Sequence, residues 1–116
     1  MSDIKARREV TKAITIYLTY LKNDYIKWSS KDLYASKEIN EHMIKDYIDA
    51  LIVKSNKEFS RIVVRGSSHS FVVLQDKGTL KRGDILRAKT RTTPDTSFVH
   101  GNVLQEKYNT ISWACV

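Results

Sequence analysis

The sequence predicts an α+β fold in which an amino-terminal helical hairpin packs on a curled antiparallel β-sheet of three to five strands. Two observations carry this prediction. Apolar residues recur at a helical period up to residue 54 and at the strand period of two after residue 59. A chain of 116 residues that is 41% apolar can bury one modest core but not two. We therefore expect a single domain over 1–116, with helices at about 3–28 and 37–54 and a β-rich part over 59–116.

The first predicted helix, at about 3–28, is amphipathic. No Gly or Pro interrupts it, which favours one continuous helix packed on the core. The stripe also keeps coiled-coil spacing for two heptads, so a homodimer formed through this helix is an alternative. The apolar stripe comprises Ile14, Leu18, Leu21, Tyr25 and Trp28, with Val10 and Tyr17 beside it.

The second predicted helix, at about 37–54, follows a polar break at Ser29–Ser36 that contains a short helical turn around Asp32–Ala35. Lys54 suits its carboxyl end, where a cation meets the helix dipole. Its outer face is acidic, and the two helices should form an antiparallel hairpin. The inner face comprises Ile39, Met43, Ile44, Tyr47, Ile48, Leu51 and Ile52.

The β-rich part begins with a predicted hairpin. Arg61–Arg65 and Ser70–Leu74 are rich in β-branched and aromatic residues, and Gly66–His69 forms a four-residue loop between them. This register pairs Val63 with Val72 and directs Arg61 and Arg65 away from the core. The core side of the hairpin then comprises Ile62, Val64, Phe71 and Val73.

Three further strands are predicted. Ile85–Thr90 follows a Gly-Asp turn, and Arg91–Ser97, which holds the only proline, forms an irregular loop. Val99–Gln105 and Thr110–Cys115 complete the sheet.

The charge is unevenly distributed. The net charge is +7 and the sequence pI is about 9.6. Residues 61–116 hold nine Lys/Arg and four Asp/Glu, whereas 31–60 hold five and six. Cations alternate with apolar residues over Arg61–Arg91, so a sheet made from this run could bury one face and present cations on the other. The predicted nucleic-acid-binding residues are Arg61, Arg65, Lys81, Arg82, Arg87, Lys89 and Arg91.

Aromatic side chains could add to such a surface. Tyr108 and Trp113 would stack on bases if they were exposed, although Tyr and Trp more often pack in a core.

Catalysis is disfavoured. His69 stands beside serines in SSHS, but no third orienting group is visible, and Ser-rich turns usually bond their own backbone. The three histidines are dispersed, and the single Cys115, which we expect to pack as a small apolar residue, forms neither a disulfide nor a zinc site. Gly66-Ser-Ser lacks the spacing of a phosphate-binding loop. We expect no enzyme activity, metal or cofactor.

A membrane location is also disfavoured. No stretch approaches eighteen uncharged apolar residues, and the amino terminus MSDIKARREV lacks the apolar core of a signal peptide. We expect a soluble protein that stays where it is made.

The motifs RIVVRGSSHSFVVL, GDILRAKTRTTP and HGNVL, in this order, resemble a group of small accessory proteins of tailed bacteriophages. The resemblance covers roughly 61–104, about 40% of the chain. It implies a phage-encoded protein that works in the host cytoplasm, and it implies no activity. The shared pattern contains Ser67, Ser68, His69, Ser70, Gly83, Asp84, Lys89, Pro94, Gly101 and Asn102.

Two positions depart from that pattern. The group usually has an aromatic residue before the Pro-containing loop and a basic residue before Gly-Asn. Here Thr90-Arg91-Thr92 and His100 stand at those positions, so any role that depends on them does not transfer.

Three functions remain open. The first is a non-enzymatic phage-type protein that binds DNA or RNA through a basic sheet face with low sequence specificity. The second is a protein-interaction module that binds and modulates a host enzyme with an acidic surface. The third is a winged-helix DNA-binding protein with Asn40–Lys54 as the groove reader and the hairpin as the wing. The third ranks last because the outer face of that helix is acidic and repels phosphates.

Overall fold

The computed structural model describes residues 2–29, 37–108, 111–114 and 116, and it confirms the α+β class. Neighbouring strands are antiparallel and follow chain order, so the sheet is an open meander. No helix in the described ranges is long and apolar enough to cross a membrane. The elements are α1 (Ser2–Ser29), α2 (Lys37–Ala50), β1 (Leu51–Ser55), β2 (Phe59–Val64), β3 (Ser67–Val73), β4 (Asp84–Arg87) and β5 (Gly101–Asn102).

The predicted stripe of α1 is the face that packs on the sheet. Its buried positions recur at steps of three and four, as the sequence indicated. Two outer members of the stripe differ, because Leu18 is only half-buried and Trp28 is exposed. The main core joins Val10, Ala13, Ile14, Tyr17 and Leu21 of α1 to Ile62, Val72, Ile85, Val103 and Ile111.

The second helix is shorter than predicted. It ends at Ala50, and β1 begins at Leu51 without an intervening loop, so the predicted helical end at residue 54 was wrong. The apolar run Leu51–Val53 continues the helical stripe, but Ile52 and Val53 are β-branched and also suit a strand. Pairing with β2 decides in favour of the strand. The helical turn predicted around Asp32–Ala35 lies outside the described residues.

The β2–β3 connection is a two-residue turn instead of the predicted loop Gly66–His69. Val64 pairs with Ser67, and the residues between them, Arg65 and Gly66, have φ angles of 51° and 78°. Positive φ at both central positions gives the backbone twist that suits the two strands of a hairpin.

A β-bulge changes the register of this hairpin. Ile62 pairs with Ser70 and Val63 pairs with Ser68, which leaves His69 as the extra residue of β3. A bulge of this kind directs two successive side chains to the same side of the strand. The predicted pairing of Val63 with Val72 was therefore wrong.

The shifted register also changes which side chains share a face. Ile62 and Val72 lie toward α1, whereas Phe71 and Val73 lie on the opposite face. The predicted grouping of Ile62 with Phe71 was wrong, because the central strand β3 is apolar on both sides. The second face holds a smaller cluster of Phe71, Val73, Leu80 and Leu86, with Phe59 and Ala88 at its margin.

The later strands are shorter than predicted. The predicted strand Ile85–Thr90 ends at Arg87 because the Thr90 hydroxyl accepts the N–H groups of Thr92 and Thr93 and starts a turn. Val99–Gln105 contributes only Gly101–Asn102 to the sheet. Residues 111–114 form no strand, and the two ends of the predicted strand Thr110–Cys115 lie outside the described residues.

Candidate nucleic-acid interface

Lys54 and Arg61 form a pair of cations on the face of the sheet that points away from α1, here called the open face. They are direct partners in the β1–β2 ladder, so their side chains project from the same face. Ile62, the next residue of β2, is fully buried on the α1 side. Alternation along the strand therefore places Arg61 on the open face, where its partner on β3 is Phe71.

A cleft of about 280 Å³ lies beside this pair and is here called the basic cleft. The rings of Phe59 and Phe71 meet edge to face with centroids 6.2 Å apart and give the cleft an apolar wall. The Oδ1 atom of Asn56 accepts the N–H groups of Glu58 and Phe59, which fixes the β1–β2 turn at its rim. The cleft is lined by Lys54, Ser55, Asn56, Phe59, Arg61, Phe71 and Thr92.

The segment after β4 is held against the open face by two hydrogen bonds to one of its carbonyl groups. The Arg91 carbonyl oxygen accepts a 2.8 Å hydrogen bond from Arg61 Nη1 and a second bond from Ser68 Oγ. Within the loop, the N–H groups of Lys89 and Thr90 donate to the Thr93 carbonyl. Two strands thus hold the loop at a fixed place over the hairpin.

A second cleft of about 270 Å³ lies between this loop and the β2–β3 turn. Ser67 and Ser68 of β3 line it together with Thr90 and Arg91 of the loop. Its walls are therefore hydroxyl groups, backbone and one exposed cation. Thr92 lines the basic cleft, and Thr90 and Arg91 line the second cleft, so the same loop contributes to both.

The cations of this surface keep their positive charge uncompensated. No described carboxylate forms an ion pair with Lys54 or with any of the seven predicted cations. Cations that lack an internal partner attract external anions more strongly than cations in salt bridges do. The open face therefore carries a positive field beside its clefts.

One carboxylate reduces the positive field at the end of β4. Hydrogen bonds from the Ser97 hydroxyl and N–H hold the pKa of Asp95 below its ordinary value, with smaller contributions from Lys89 and Arg87. Asp95 is consequently charged at neutral pH. Its negative charge partly offsets the positive charges of Lys89 and Arg87. Of the seven predicted cations, Arg61 is the one that lines the basic cleft.

Two predicted cations, Lys81 and Arg82, do not line the basic cleft. Lys81 and Arg82 belong to the β3–β4 turn, where the Gly83 N–H donates to the Val73 carbonyl. The Arg82 Nε atom is also buried within the turn.

Three more predicted cations occupy other surfaces. Arg87 pairs with Ser70, whose hydroxyl meets Tyr17 of α1, so Arg87 is on the α1 side of the sheet. Arg65 is exposed in the β2–β3 turn, and Lys89 is exposed beyond the end of β4. The seven cations do not form one continuous face. The structure brings Arg61 and Arg91 together, because the Arg61 guanidinium donates a hydrogen bond to the Arg91 carbonyl. Arg91 also lines the second cleft.

The sequence prediction missed Lys54. The helical period of its neighbours placed this residue at the end of α2, where it would have met only the helix dipole. The β-branched pair Ile52 and Val53, followed by the turn-forming Asn56, was the available signal for a strand.

The two aromatic side chains proposed as stacking platforms pack against the helices instead. The Tyr108 ring stacks on Tyr20 with centroids 4.3 Å apart. The Trp113 ring meets Tyr25 edge to face at 4.8 Å and also contacts Trp28. Their rings are part of the aromatic packing of α1, as the burial habits of Tyr and Trp indicated.

His69 and Ser70 belong to a buried hydrogen-bond chain. His69 Nε2 lies 2.8 Å from the Ser112 carbonyl, which must accept, so Nδ1 of the neutral ring accepts from Ser70 Oγ at 3.0 Å. The Tyr17 hydroxyl then donates to Ser70 Oγ, also at 3.0 Å. Burial lowers the pKa of His69, although the Ser112 bond opposes this shift. Ser70 is fully buried, so no substrate reaches its hydroxyl.

Within the described ranges, no three His, Cys, Asp or Glu side chains are grouped closely enough to hold a metal ion. Comparisons with protein-family models, curated proteins and solved structures gave no match to this chain. A function must therefore be argued from the residues of the chain itself.

Proposed function

We propose that this protein binds nucleic acid without catalysis, with low sequence specificity, and that the basic cleft of the open face is its principal contact. The observation that carries the proposal is the pair Lys54 and Arg61, two cations side by side that have no described carboxylate partner. Phosphate groups along a nucleic-acid backbone need such cations on a rigid scaffold.

The surroundings of the pair fit a nucleic-acid backbone better than a single small anion. The loop that Arg91 anchors contributes Thr92 to the basic cleft and Thr90 to the second cleft, so an extended chain can contact both. The hydroxyl group of Ser67 can donate to phosphate or sugar oxygens. This hydroxyl and the cation pair contact backbone instead of base edges, which predicts weak sequence preference.

The charge distribution agrees with this function. The net charge of +7 attracts polyanions at long range, and the uncompensated cations of the open face direct them to one side of the molecule. The phage-like motifs of residues 61–104 support a role as a bacteriophage accessory protein in the host cytoplasm.

The proposal is tested by fluorescence anisotropy with labelled single-stranded DNA, duplex DNA and RNA at two salt concentrations. Lys54→Ala should make the plot of log K against log salt shallower by about 0.7 on a single strand or about 0.9 on a duplex. The same substitution at Lys12, an exposed cation of α1, is the matched control and should leave the slope unchanged.

Two results would contradict the proposal. One is the absence of binding to all three nucleic acids at low salt. The other is an equal effect of Lys54→Ala and Lys12→Ala, because binding would then follow net charge and not the basic cleft.

A second candidate, binding to a host enzyme, is favoured by an exposed apolar segment. Phe98, which is 64% exposed, and Val99 lie just before β5, and the exposed Leu104 lies just after it. Exposed apolar groups of this size suit a protein contact better than a phosphate backbone. If this function holds, Phe98→Asp should abolish a salt-resistant complex with one host protein, whereas Lys54→Ala should retain it.

A further inference from the structure

β1 is an edge strand of the sheet, and its outer side is open. Only β2 pairs with it among the described elements, and all its residues after Leu51 are exposed. Ile52 is 48% exposed and Val53 is 36% exposed. The opposite edge is different, because β5 has two residues and Asn102 pairs with Lys107. β1 therefore offers the longer edge for another strand.

The parity of the β1–β2 hydrogen bonds shows which backbone groups of β1 point outward. The Arg65 N–H donates to the Ala50 carbonyl at one end, and the Asn56 N–H donates to the Phe59 carbonyl at the other. Even-numbered residues therefore bond to β2, and alternation directs the N–H and C=O groups of Leu51, Val53 and Ser55 outward.

We propose that β1 pairs with β1 of a second copy of this chain, in an antiparallel register centred on Val53. In this register Val53 faces the partner's Val53, and Leu51 faces the partner's Ser55, so each outward-pointing group meets its complement. Lys54 faces the partner's Ile52 and never the partner's Lys54. The edge is thus self-complementary in hydrogen bonding and avoids a like-charge pair.

The side chains agree with this register on both faces. Val53 is opposite the core residue Ile62 on β2, so two Val53 side chains would extend the α1-side core across the dyad. On the open face, the partner's Ile52 would cover the aliphatic stem of Lys54 and leave its ammonium group exposed. This arrangement differs from the coiled-coil alternative suggested by the stripe of α1, which the sheet already buries.

The dimer would also enlarge the surface beside the basic cleft. A two-fold axis that relates antiparallel neighbours stands perpendicular to the sheet, so both open faces would lie on one side. Lys54 and Ser55 line the cleft and belong to β1 itself. Two basic clefts would therefore flank the seam of a ten-stranded sheet. The pairing does not depend on the proposed nucleic-acid binding.

Sedimentation equilibrium of the purified protein without nucleic acid tests the pairing. The wild-type chain should show a reversible monomer–dimer equilibrium, and Val53→Lys should weaken it about tenfold or more, because two ammonium groups would meet at the dyad. Val99→Lys is the matched control, since Val99 is 37% exposed and lies on another surface. It should leave the dissociation constant unchanged.

A charge-pairing experiment tests the register. Val53→Glu alone should also weaken the dimer, whereas an equimolar mixture of Val53→Glu and Val53→Lys should restore it, because opposite charges then meet. A monomeric wild-type chain up to millimolar concentration would overturn the proposal. A dimer that persists in both single variants would overturn it as well, and so would a mixture that associates no better than either variant. Circular dichroism of each variant verifies that the monomer is folded.

Discussion

The hydroxyl groups of Tyr17 and Ser70 lie 3.0 Å apart in the apolar core and join the first helix to the central strand. The two residues are separated by 53 positions in sequence. The bulge at His69 makes the contact part of a chain, since it directs the imidazole and the serine to the same side of β3. Burial raises the pKa of Tyr17 well above its ordinary value, so its hydroxyl stays a neutral donor.

The contact between Tyr17 and Ser70 should be measurable in stability. Tyr17→Phe should lower the free energy of unfolding by about 1 kcal/mol, because Ser70 Oγ is fully buried and loses its donor. Urea denaturation of Tyr17→Phe, Ser70→Ala and the double variant gives the coupling energy, which should lie at about 0.5 kcal/mol or above. Strictly additive losses would show that the two hydroxyl groups do not interact.

His69 should make stability depend on pH. Its pKa in the folded protein is below the ordinary 6.5, so between these two pKa values the unfolded chain binds more protons than the folded chain. The free energy of unfolding is therefore highest above about pH 6.5 and decreases as the pH falls through the folded-state pKa, by at most about 1.4 kcal/mol per pH unit.

Urea denaturation at several pH values tests this dependence with matched variants. His69→Gln, whose amide can still donate to the Ser112 carbonyl, should flatten the curve between pH 5 and 7. His42→Gln, at a histidine whose side chain is 77% exposed, is the matched control. A flat wild-type curve in this range would contradict the assignment of a buried neutral His69.

Arg61 should control the order of the loop that carries Arg91. Arg61→Ala removes one of the two donors to the Arg91 carbonyl, and the loss of about 1 kcal/mol should speed amide exchange of Lys89 and Thr90 about fivefold. Hydrogen exchange followed by NMR measures these amides. Lys54→Ala removes a cation from the same face without touching the loop anchor, and it should leave their exchange unchanged.

Gly101 should tolerate no side chain. A Cβ atom there would stand 2.2 Å from the Lys107 carbonyl oxygen, so Gly101→Ala must separate two backbone segments, and we expect a loss of about 3 kcal/mol. Gly78 is a useful comparison. Its φ angle is 60° but its surroundings are open, so Gly78→Ala should cost only about 1 kcal/mol. Thermal unfolding of both variants tests the order, and equal losses would contradict the close approach at Gly101.

The face of α1 could be predicted because a helical period repeated over many residues leaves little ambiguity. The end of α2 could not, because Leu51 and Ile52 satisfy both the helical stripe and a β-strand. Pairing with Val63 and Val64, which follow a turn, decides between them. Local sequence does not contain that contact.

The candidate site was partly predictable for a related reason. Arg61 was identified from strand alternation, and that alternation holds within β2. The bulge at His69 altered the pairing of β3, and Lys81 and Lys89, which lie in the segments that flank β4, line neither cleft. Alternation gives the face of a residue within a strand, but it does not show which strands become neighbours or where each strand ends.

Most buried partners of α1 lie far along the chain from it. The Tyr20 hydroxyl donates to the Ile111 carbonyl, and the Trp113 N–H donates to the Asp24 carboxylate. A ribosome adding about 5–20 residues per second needs roughly 5–20 s to proceed from the middle of α1 to these partners. During synthesis Ile62, Val72 and Ile85 become available to the stripe of α1 before Ile111 does, so the packing of α1 is completed only when the segment around Ile111 has emerged.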